Sequence, residues 1–391
     1  MKPCPVCGFA FDSAKNLARH VATKHPDPAA SATQAKADSA SAVAELVPST
    51  VTVDLPVGTC LVEHEVFAAA TQTVASPCHL AAAAPSIAIA GDVQGNVEEL
   101  RRRPIEEVLA MFTMVCGAVL ADKTAFSQRV RHIKDLFIQR DFLAIFTDPS
   151  NLLVYLARWV PPRALCYLSL FGQSPTLKQV LTQSVRWTCL GAGPGSELVA
   201  LSALATLEQH AGGEVDVAGT ITDQPRRFLD VFLHDIGDFG PAVSRLVEMT
   251  QQRWGISEDR FRAQFVQGDL LAQQMAPELE VALSSSHVVT MMFVVNELFQ
   301  QDLDATLKTL RDIAKRMHRH AFLVIADSVS DMSTITVFGG KQYRVPTVLD
   351  NLFKSLTKVS SADSAWHRLP KVSYQCELQN VHYFLRIYQK P

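Results

Sequence analysis

An apolar strand that runs directly into three closely spaced glycines constrains the fold of this chain more than any other feature. Residues 185–190, Val-Arg-Trp-Thr-Cys-Leu, have the pattern of a buried strand, and an apolar, helix-forming run follows at 198–207. Between them stand Gly191, Gly193 and Gly195. Strand, glycine turn and helix in this order let a ligand approach bare backbone at a helix N-terminus. The segment therefore predicts a ligand-binding turn, with a purely structural turn as the alternative.

Strands and helices continue to alternate after this turn, which predicts an α/β domain with a doubly wound parallel sheet. Further strands are expected at 215–222, 261–266, 287–295 and 321–326. Two runs at 372–378 and 381–388, separated only by Gln379 and Asn380, predict that the sheet ends in an antiparallel hairpin. Such a sheet resembles the methyltransferase architecture more than a nicotinamide-binding domain.

Polar residues follow three of the expected strands. Asp223 comes after the second strand, Asp269 after the third, and Asn296 and Glu297 after the fourth. Ligands of open α/β sheets bind at the carboxyl ends of the strands. We therefore expect Asp223 to accept hydrogen bonds from the ribose of a nucleoside cofactor. The resemblance to methyltransferases implies that Asp269 lies near the adenine, while a helix cap or a solvated turn is the alternative for each acid.

The glycine spacing itself carries a resemblance. Gly-x-Gly-x-Gly followed by Ser196 and Glu197 is similar to the first motif of S-adenosylmethionine-dependent methyltransferases. It fits a dinucleotide fingerprint less well, because Ser196 stands where that pattern has a third glycine or an alanine. The resemblance implies that S-adenosylmethionine binds over the three glycines and Glu197.

The first 27 residues predict a small module built around a metal ion. Cys4, Cys7, His20 and His25 have the spacing C-x2-C-x12-H-x4-H, which resembles the C2H2 zinc finger, a ββα unit. Two thiolates and two imidazoles complete a tetrahedral Zn²⁺ site. A single finger covers only about three base pairs of DNA, so docking to RNA or protein is the better hypothesis for its role, with a purely structural role as the alternative.

Composition sets the remaining boundaries. Residues 1–27 are expected to form the finger, 28–96 a mostly disordered linker rich in Ala and Ser, 97–184 a helical preamble or cap, and 185–391 the Rossmann-like methyltransferase domain. A net charge of −3 argues against a broadly basic nucleic-acid binder but allows local basic patches. No apolar run reaches the roughly 18 residues that span a bilayer, so no membrane segment is expected.

The preamble is also basic. Its predicted helices carry Arg129, Arg131, Lys134, Arg140, Arg158 and Arg163. These residues form either a solvated face or a cap that grips phosphates beside the cofactor. The dipeptide Pro161-Pro162 predicts a break in the helical pattern, with a new helix starting there.

A more specific family resemblance covers roughly residues 100–391. Its segments are 141–146, 155–165, 296–299, 325–328, 366–370, 378–380 and 383–388. They resemble the fungal-type large-subunit ribosomal RNA uridine-N3 methyltransferases. The resemblance implies a Rossmann-like fold, S-adenosylmethionine, and methyl transfer to a uridine of ribosomal RNA or a pre-ribosome. It also implies residence in the nucleus, nucleolus or cytoplasm, with an organelle as a further possibility. The finger and the linker are additions to that family.

The acceptor half of the reaction needs a group that removes the N3 proton of uracil. Glu297 is the candidate base or orienter, and Asn296 is the candidate hydrogen-bond partner of the base edge. The alternative is that Asn296 caps a helix and Glu297 lies in its first turn. Trp366 and Tyr383 are either stacking partners of an unpaired base or core residues.

Two other functions remain compatible with the sequence. The cofactor half says nothing about the acceptor, so a protein or small-molecule methyltransferase is one alternative. A ribosome-assembly factor that keeps the fold without catalysis is the other.

Overall fold

The structure is a computed structural model that describes residues 2–3, 10–11, 93–211, 228–330, 333–336 and 340–391. The chain divides into two compact units, Met1–Ala82 and Ala83–Pro391. In the first unit, β1 (Lys2–Pro3) pairs antiparallel with β2 (Ala10–Phe11). The four predicted zinc ligands lie outside the described residues, as does most of the predicted linker.

The second unit begins with a series of helices. They are α1 (Val93–Arg102), α2 (Pro104–Ala121), α3 (Lys123–Gln139), α4 (Phe142–Thr147), α5 (Pro149–Gln173) and α6 (Pro175–Leu181). Several begin at a capping side chain. The side chains of Asp122, Asp141 and Asp148 accept hydrogen bonds from backbone amides in the first turns of α3, α4 and α5. These caps satisfy amides that have no partner inside the helix.

Helix α5 runs through its two internal prolines, so the predicted break at Pro161-Pro162 is wrong. A proline inside a helix removes the hydrogen bond to the carbonyl four residues earlier. For Pro161 that carbonyl belongs to Ala157, which instead accepts a contact from the Cys376 thiol at 3.7 Å. Both prolines are buried, and packing against the domain keeps the helix continuous.

Among the described helices, α2 is long and apolar enough to cross a membrane, with 18 residues and a mean hydropathy of 1.6. The expectation that no segment reaches this length is therefore wrong for α2. Its apolar side chains, however, belong to the domain core, since Val108, Met111 and Phe112 are all fully buried there. The helix packs as a core helix of this unit.

The described residues of the second unit form a seven-stranded sheet in the order β10-β11-β7-β6-β3-β4-β5. Its strands are β3 (Val185–Leu190), β4 (Leu229–Asp235), β5 (Phe261–Gln267), β6 (Val288–Met292), β7 (Phe322–Ser328), β10 (Thr357–His367) and β11 (Val381–Gln389). A separate short pair consists of β8 (Thr334–Thr336) and β9 (Gln342–Arg344). Strands β3 to β7 pair in parallel, and β11 and β10 add antiparallel. The predicted α/β fold with an antiparallel end is confirmed.

The remaining helices connect the strands and cover the sheet. They are α7 (Ser196–Ala211), α8 (Gly240–Trp254), α9 (Pro277–Ser285), α10 (Val295–Gln301), α11 (Leu303–Arg316) and α12 (Val345–Leu352). Helices α2 to α8 contribute to one apolar cluster, and α9 to α12 to a second. The helical preamble and the sheet therefore share one core, and Trp187 of β3 packs on Phe171 of α5 with 5.1 Å between ring centroids.

Three strands differ from their predicted positions. The strand expected at 287–295 ends at Met292, and Val295 already begins α10. The strand beside β3 is Leu229–Asp235, while 215–222 lies outside the described residues. The first strand of the hairpin is Thr357–His367, so the strand expected at 372–378 is wrong. Residues 372–378 do alternate between half-buried and exposed, but they pack their inner side chains on the core without a strand partner.

A buried ion pair ties α2 to α8 and generates a test of stability. The Glu107 carboxylate, 2 % exposed, accepts hydrogen bonds from Arg253 Nε, from Arg253 Nη2 at 2.9 Å and from Trp254 Nε1 at 3.1 Å. Removing one partner of a buried pair leaves the other charge uncompensated. We expect Glu107→Ala to lower the free energy of unfolding by about 3 kcal/mol.

Urea unfolding of the full chain measures this effect. The matched control is Glu106→Ala at the neighbouring exposed position, which should change the free energy of unfolding by less than about 0.5 kcal/mol. Equal effects of the two substitutions would contradict the structural role of Glu107.

Candidate functional site

A cleft opens at the carboxyl ends of β3, β4 and β6, where the sequence predicted a ligand site. It encloses about 760 Å³ of space that is partly open to solvent. The glycine turn after β3 forms its floor, and aromatic side chains of α4 and α5 form one wall. Because a single deep cleft brings together the turn, three strand ends and two helices, it is the best candidate for the functional site in the described part of the chain.

The first two glycines of the turn have different roles. Gly191 has φ +64°, and a Cβ there would stand 2.4 Å from Val294 Cγ2, so this position must lack a side chain for the turn to pack on the start of α10. Gly193 has φ +54°, and its Cβ would meet nothing closer than Tyr155 Cε1 at 3.9 Å. The open side of Gly193 faces the cleft, which exposes bare backbone to a ligand. Gly195 follows with φ +105° and closes the turn against Leu198.

An acid at the end of β4 holds the turn in place. Asp235, 8 % exposed, accepts hydrogen bonds from the Gly193 amide at 2.8 Å and the Gly237 amide at 2.9 Å. Burial raises its pKa to about 6, although these amides oppose the shift. Sequence reasoning missed this residue and chose Asp223, which lies outside the described residues. The apolar run that leads to Asp235 was the signal available.

Asp269 lies at the rim of the cleft, as its position after β5 predicted. Its side chain is exposed and accepts a hydrogen bond from the Leu271 amide at 2.8 Å, which shapes the turn. The preceding Gly268 leaves room for His234, since a Cβ there would stand 2.6 Å from His234 Nε2. Asp235 and Asp269 thus both line the cleft at the ends of neighbouring strands.

Two glutamates face the cleft from the first turns of α7 and α10. Glu197 is 1 % exposed and accepts a hydrogen bond from Thr290 Oγ1 at 3.3 Å. Burial raises the pKa of Glu197 and of Glu297 to about 8 in each case, and the positive charge of Arg163 offsets part of the shift. The predicted catalytic Glu297 is therefore in the cleft, in a position where it can exchange a proton near neutral pH.

Asn296 is buried beneath the cleft and does not line it. Its Nδ2 donates to Asp327 Oδ1 and to the Ser328 carbonyl, both at 2.9 Å, and its backbone amide donates to Asp327 Oδ2 at 2.9 Å. Its Oδ1 has no partner among the described residues. Asn296 ties the start of α10 to the end of β7, and so it positions Glu297. A direct contact with an acceptor base stays a prediction.

Of the six basic residues singled out in the preamble, only Arg163 lines the cleft. Its Nη1 donates to the Tyr155 hydroxyl at 2.6 Å, and its guanidinium lies 4.7 Å from the centroid of the Phe293 ring. Phe293 follows β6 with φ +61°, a conformation that is strained for an aromatic residue. Of the six, only Arg158 and Arg163 lie in segment 155–165 of the family resemblance, but no sequence pattern separates Arg163 from Arg158.

The described residues contain no group of three or more His, Cys, Asp or Glu side chains arranged to hold a metal ion. The predicted ligands Cys4, Cys7, His20 and His25 fall outside them, so the zinc site stays a prediction.

Comparisons with known proteins found a matching family model and a similar protein. Residues 112–389 match the family model described as "Putative SAM-dependent methyltransferase". A 25S rRNA (uridine(2843)-N(3))-methyltransferase of Saccharomyces cerevisiae is 27 % identical over 292 residues, which is 69 % of this chain and 79 % of that protein.

Two solved structures were also found. The N-methyltransferase NodS of Bradyrhizobium japonicum WM9, in complex with S-adenosyl-L-homocysteine, is 12 % identical and has a TM-score of 0.32, covering 60 % of this chain and 89 % of its own. The 1,6-didemethyltoxoflavin-N1-methyltransferase of Burkholderia thailandensis is 16 % identical with a TM-score of 0.34, covering 66 % and 89 %.

The buried carboxyl groups of the cleft make stability depend on pH. Glu197 has a pKa of about 8 in the folded chain and an ordinary value of 4.5. Between these values the folded state binds the extra proton, so the free energy of unfolding falls as pH rises. One such group contributes a slope of up to about −1.4 kcal/mol per pH unit. Glu197→Gln should remove that contribution between about pH 5 and pH 8.

Urea unfolding at several pH values in this range measures the slope for each variant. Glu278→Gln is the control, because Glu278 is an exposed acid on α9 and should leave the slope as in the wild type. A Glu197→Gln protein with the wild-type slope would show that Glu197 does not bind a proton on folding in this range.

Proposed function

Because the chain belongs to the family of S-adenosylmethionine-dependent methyltransferases, we propose that it methylates N3 of a uridine in large-subunit ribosomal RNA. The observation that carries the acceptor is the similarity to the Saccharomyces cerevisiae enzyme, whose matched region spans 69 % of this chain. A partly buried carboxyl group at the cleft, Glu297, supplies the base that such a reaction needs.

The residues of the cleft fit S-adenosylmethionine. Four acids line it among the described residues, namely Glu197, Asp235, Asp269 and Glu297. A ligand with a sulfonium and an ammonium group suits these carboxyl groups, because its positive charges favour their ionised form. The open face of Gly193 gives the ligand access to backbone. A carboxylate accepts more than the two hydrogen bonds that Asp235 receives from amides, so Asp235 retains capacity for ribose hydroxyls. We place the adenine near Asp269.

The acceptor chemistry depends on the removal of one proton. Bound S-adenosylmethionine supplies the methyl group from its sulfonium. The N3–H bond of uracil must break so that its electron pair can form the new N–C bond, and the proton must go to a base. Glu297 accepts that proton, and the hydrogen bonds of Asn296 to Asp327 and Ser328 fix the turn that carries it. A carboxylate whose pKa burial raises to about 8 is a stronger base than an exposed one.

An exposed aromatic platform supports an RNA acceptor. Trp366 is 53 % exposed, and its ring stacks on His382 with 4.0 Å between centroids and an interplanar angle of 5°. The Arg368 guanidinium lies 5.8 Å from the Trp366 ring. The platform is at the end of β10 and β11 that neighbours the carboxyl end of β7, the same edge of the sheet as the cleft. Unpaired bases of RNA stack on such aromatic faces.

The proposal predicts one methylated uridine. We expect the wild-type protein with S-adenosylmethionine to create a single N3-methyluridine in large-subunit rRNA from cells that lack the gene, with cytosolic and organellar rRNA assayed separately. N3 methylation removes a Watson–Crick donor, so a reverse-transcription stop reports it. Glu297→Gln should slow the reaction by about 10²–10⁴-fold, the range for loss of a general base. Gly193→Arg should abolish it by filling the open side of the turn.

The exposed variant Glu278→Gln should keep the wild-type rate. Isothermal titration calorimetry with S-adenosylmethionine is run on every variant, and Gly193→Arg should lose binding. The uridine proposal would be contradicted if the wild-type protein binds S-adenosylmethionine but creates no reverse-transcription stop in either rRNA. That result would favour a protein or small-molecule acceptor.

We further propose that residues 1–27 bind one zinc ion through Cys4, Cys7, His20 and His25, and that this unit docks the enzyme on RNA or protein. The support is the ligand spacing, together with the β1–β2 pairing on either side of the segment that contains both cysteines. Cys4→Ser should lose stoichiometric zinc as measured by atomic absorption. The control Cys60→Ser should retain it, and Cys4→Ser protein with a full zinc ion would contradict the site.

A further inference from the structure

The cleft contains one basic side chain among several acidic ones. Arg163 is the only Lys, Arg or His side chain among the described residues that line it, beside the acids Glu197, Asp235, Asp269 and Glu297. Yet none of the ion pairs among the described residues includes Arg163, so no carboxylate there lies within ion-pair distance of its guanidinium. Arg163 therefore has no acid in direct contact, although its charge acts on Glu197 and Glu297 through space.

Two other largely buried arginines of the domain are paired with acids, whereas the buried Arg158 also lacks an ion pair among the described residues but does not line the cleft. Arg253 pairs with Glu107, and Arg386 pairs with Asp350 and Asp363. Arg163 is held instead by the hydroxyl of Tyr155 at 2.6 Å and by the ring faces of Phe293 at 4.7 Å and Tyr155 at 5.8 Å. Aromatic faces stabilise a guanidinium without neutralising it. Its remaining N–H donors are available for an anionic group of a ligand.

The same pair stands directly beside the glycine turn. Tyr155 Cε1 lies 3.9 Å from the position that a Cβ of Gly193 would occupy. Burial raises the pKa of the Tyr155 phenol to about 12, so the hydroxyl keeps its proton and can donate it while it accepts from Arg163. Guanidinium and phenol therefore offer adjacent donors at the open face of the turn.

The charges of the methyl donor match this arrangement. S-adenosylmethionine has two positive groups, the sulfonium and the ammonium, and one negative group, the carboxylate of its amino-acid moiety. A cleft with four acids and one arginine has a single place for that carboxylate. We propose that Arg163, together with the Tyr155 hydroxyl, binds the amino-acid carboxylate of S-adenosylmethionine. This assignment concerns the methyl donor and is independent of whether the acceptor is a uridine.

Two ligands that differ only in the carboxylate test the assignment by calorimetry. The first is S-adenosylhomocysteine, and the second is its decarboxylated analogue, which keeps the adenosine, the thioether and the amine. Arg163→Met should lower the affinity for S-adenosylhomocysteine at least about tenfold, as expected for loss of a charge-assisted hydrogen-bonded contact. The same variant should change the affinity for the decarboxylated analogue by less than about threefold.

Binding of the analogue also shows that the variant is folded and its adenosine site intact. If Arg163→Met does not fold, Arg163→Lys replaces it as the test variant. Because lysine keeps the charge, Arg163→Lys should retain part of the wild-type preference for S-adenosylhomocysteine over the decarboxylated analogue. Tyr155→Phe should reduce that preference by a smaller factor. The control Arg131→Met removes an exposed arginine of α3 and should leave both affinities unchanged.

An equal loss of affinity for both ligands in Arg163→Met would overturn the proposal, because the loss would then not involve the carboxylate. Unchanged affinity for both ligands, with slower methyl transfer, would also overturn it and would assign Arg163 to the acceptor. The binding experiment measures only the methyl donor, so its outcome does not depend on whether a methylated uridine is found. The two proposals are therefore tested separately.

Discussion

The cleft depends on the absence of a side chain at Gly191. Only a glycine lets the turn after β3 lie against Val294, because a Cβ would come within 2.4 Å of that side chain. This contact sets the distance between the glycine turn and the start of α10. Asp235 on one side and the Asn296–Asp327 pair on the other then hold the two backbones in place. The groups that could face a methyl donor and its acceptor are thus brought together by backbone packing before any ligand binds.

A second property of the site is that several of its acids are held away from water. Glu197, Asp235, Glu297 and Asp327 all have raised pKa values, and for each of them burial is the largest cause. The domain keeps these groups although burying a charge is unfavourable. A ligand with two positive groups offsets that penalty when it binds, so the same feature that reduces stability favours the cofactor. Trade-offs of this kind are common at functional sites.

The sequence predicted those parts of the fold that depend on local patterns. Strands β5, β6 and β7 and the turn residues between them follow from apolar runs that end in Gly, Asp or Asn. The first strand of the hairpin was misplaced because residues 372–378 alternate like a strand, but they pack on the core and do not join the sheet. Alternation reports which side chains are inside, and it does not report whether the backbone has a strand partner.

The site was predictable only in part, for a related reason. Glu297 and Asp269 follow apolar strands and were found, whereas Arg163 and Tyr155 come from a helix that precedes the sheet in the chain. Their place in the cleft results from tertiary packing of α5. The family resemblance includes segment 155–165, but nothing in the pattern separates Arg163 from Arg158. Long-range placement of this kind is a property of the folded core.

The backbone conformation and the side-chain contact of Phe293 favour different residue types at this position. Its φ of +61° favours glycine or asparagine, while its ring supports the guanidinium of Arg163. A residue that relaxes the backbone removes the aromatic face, and a residue that keeps the face retains strain of about 1–3 kcal/mol. Selection for thermal resistance and selection for turnover would therefore choose different amino acids at position 293. At position 293, a substitution that relaxes the backbone would therefore cost the support of Arg163.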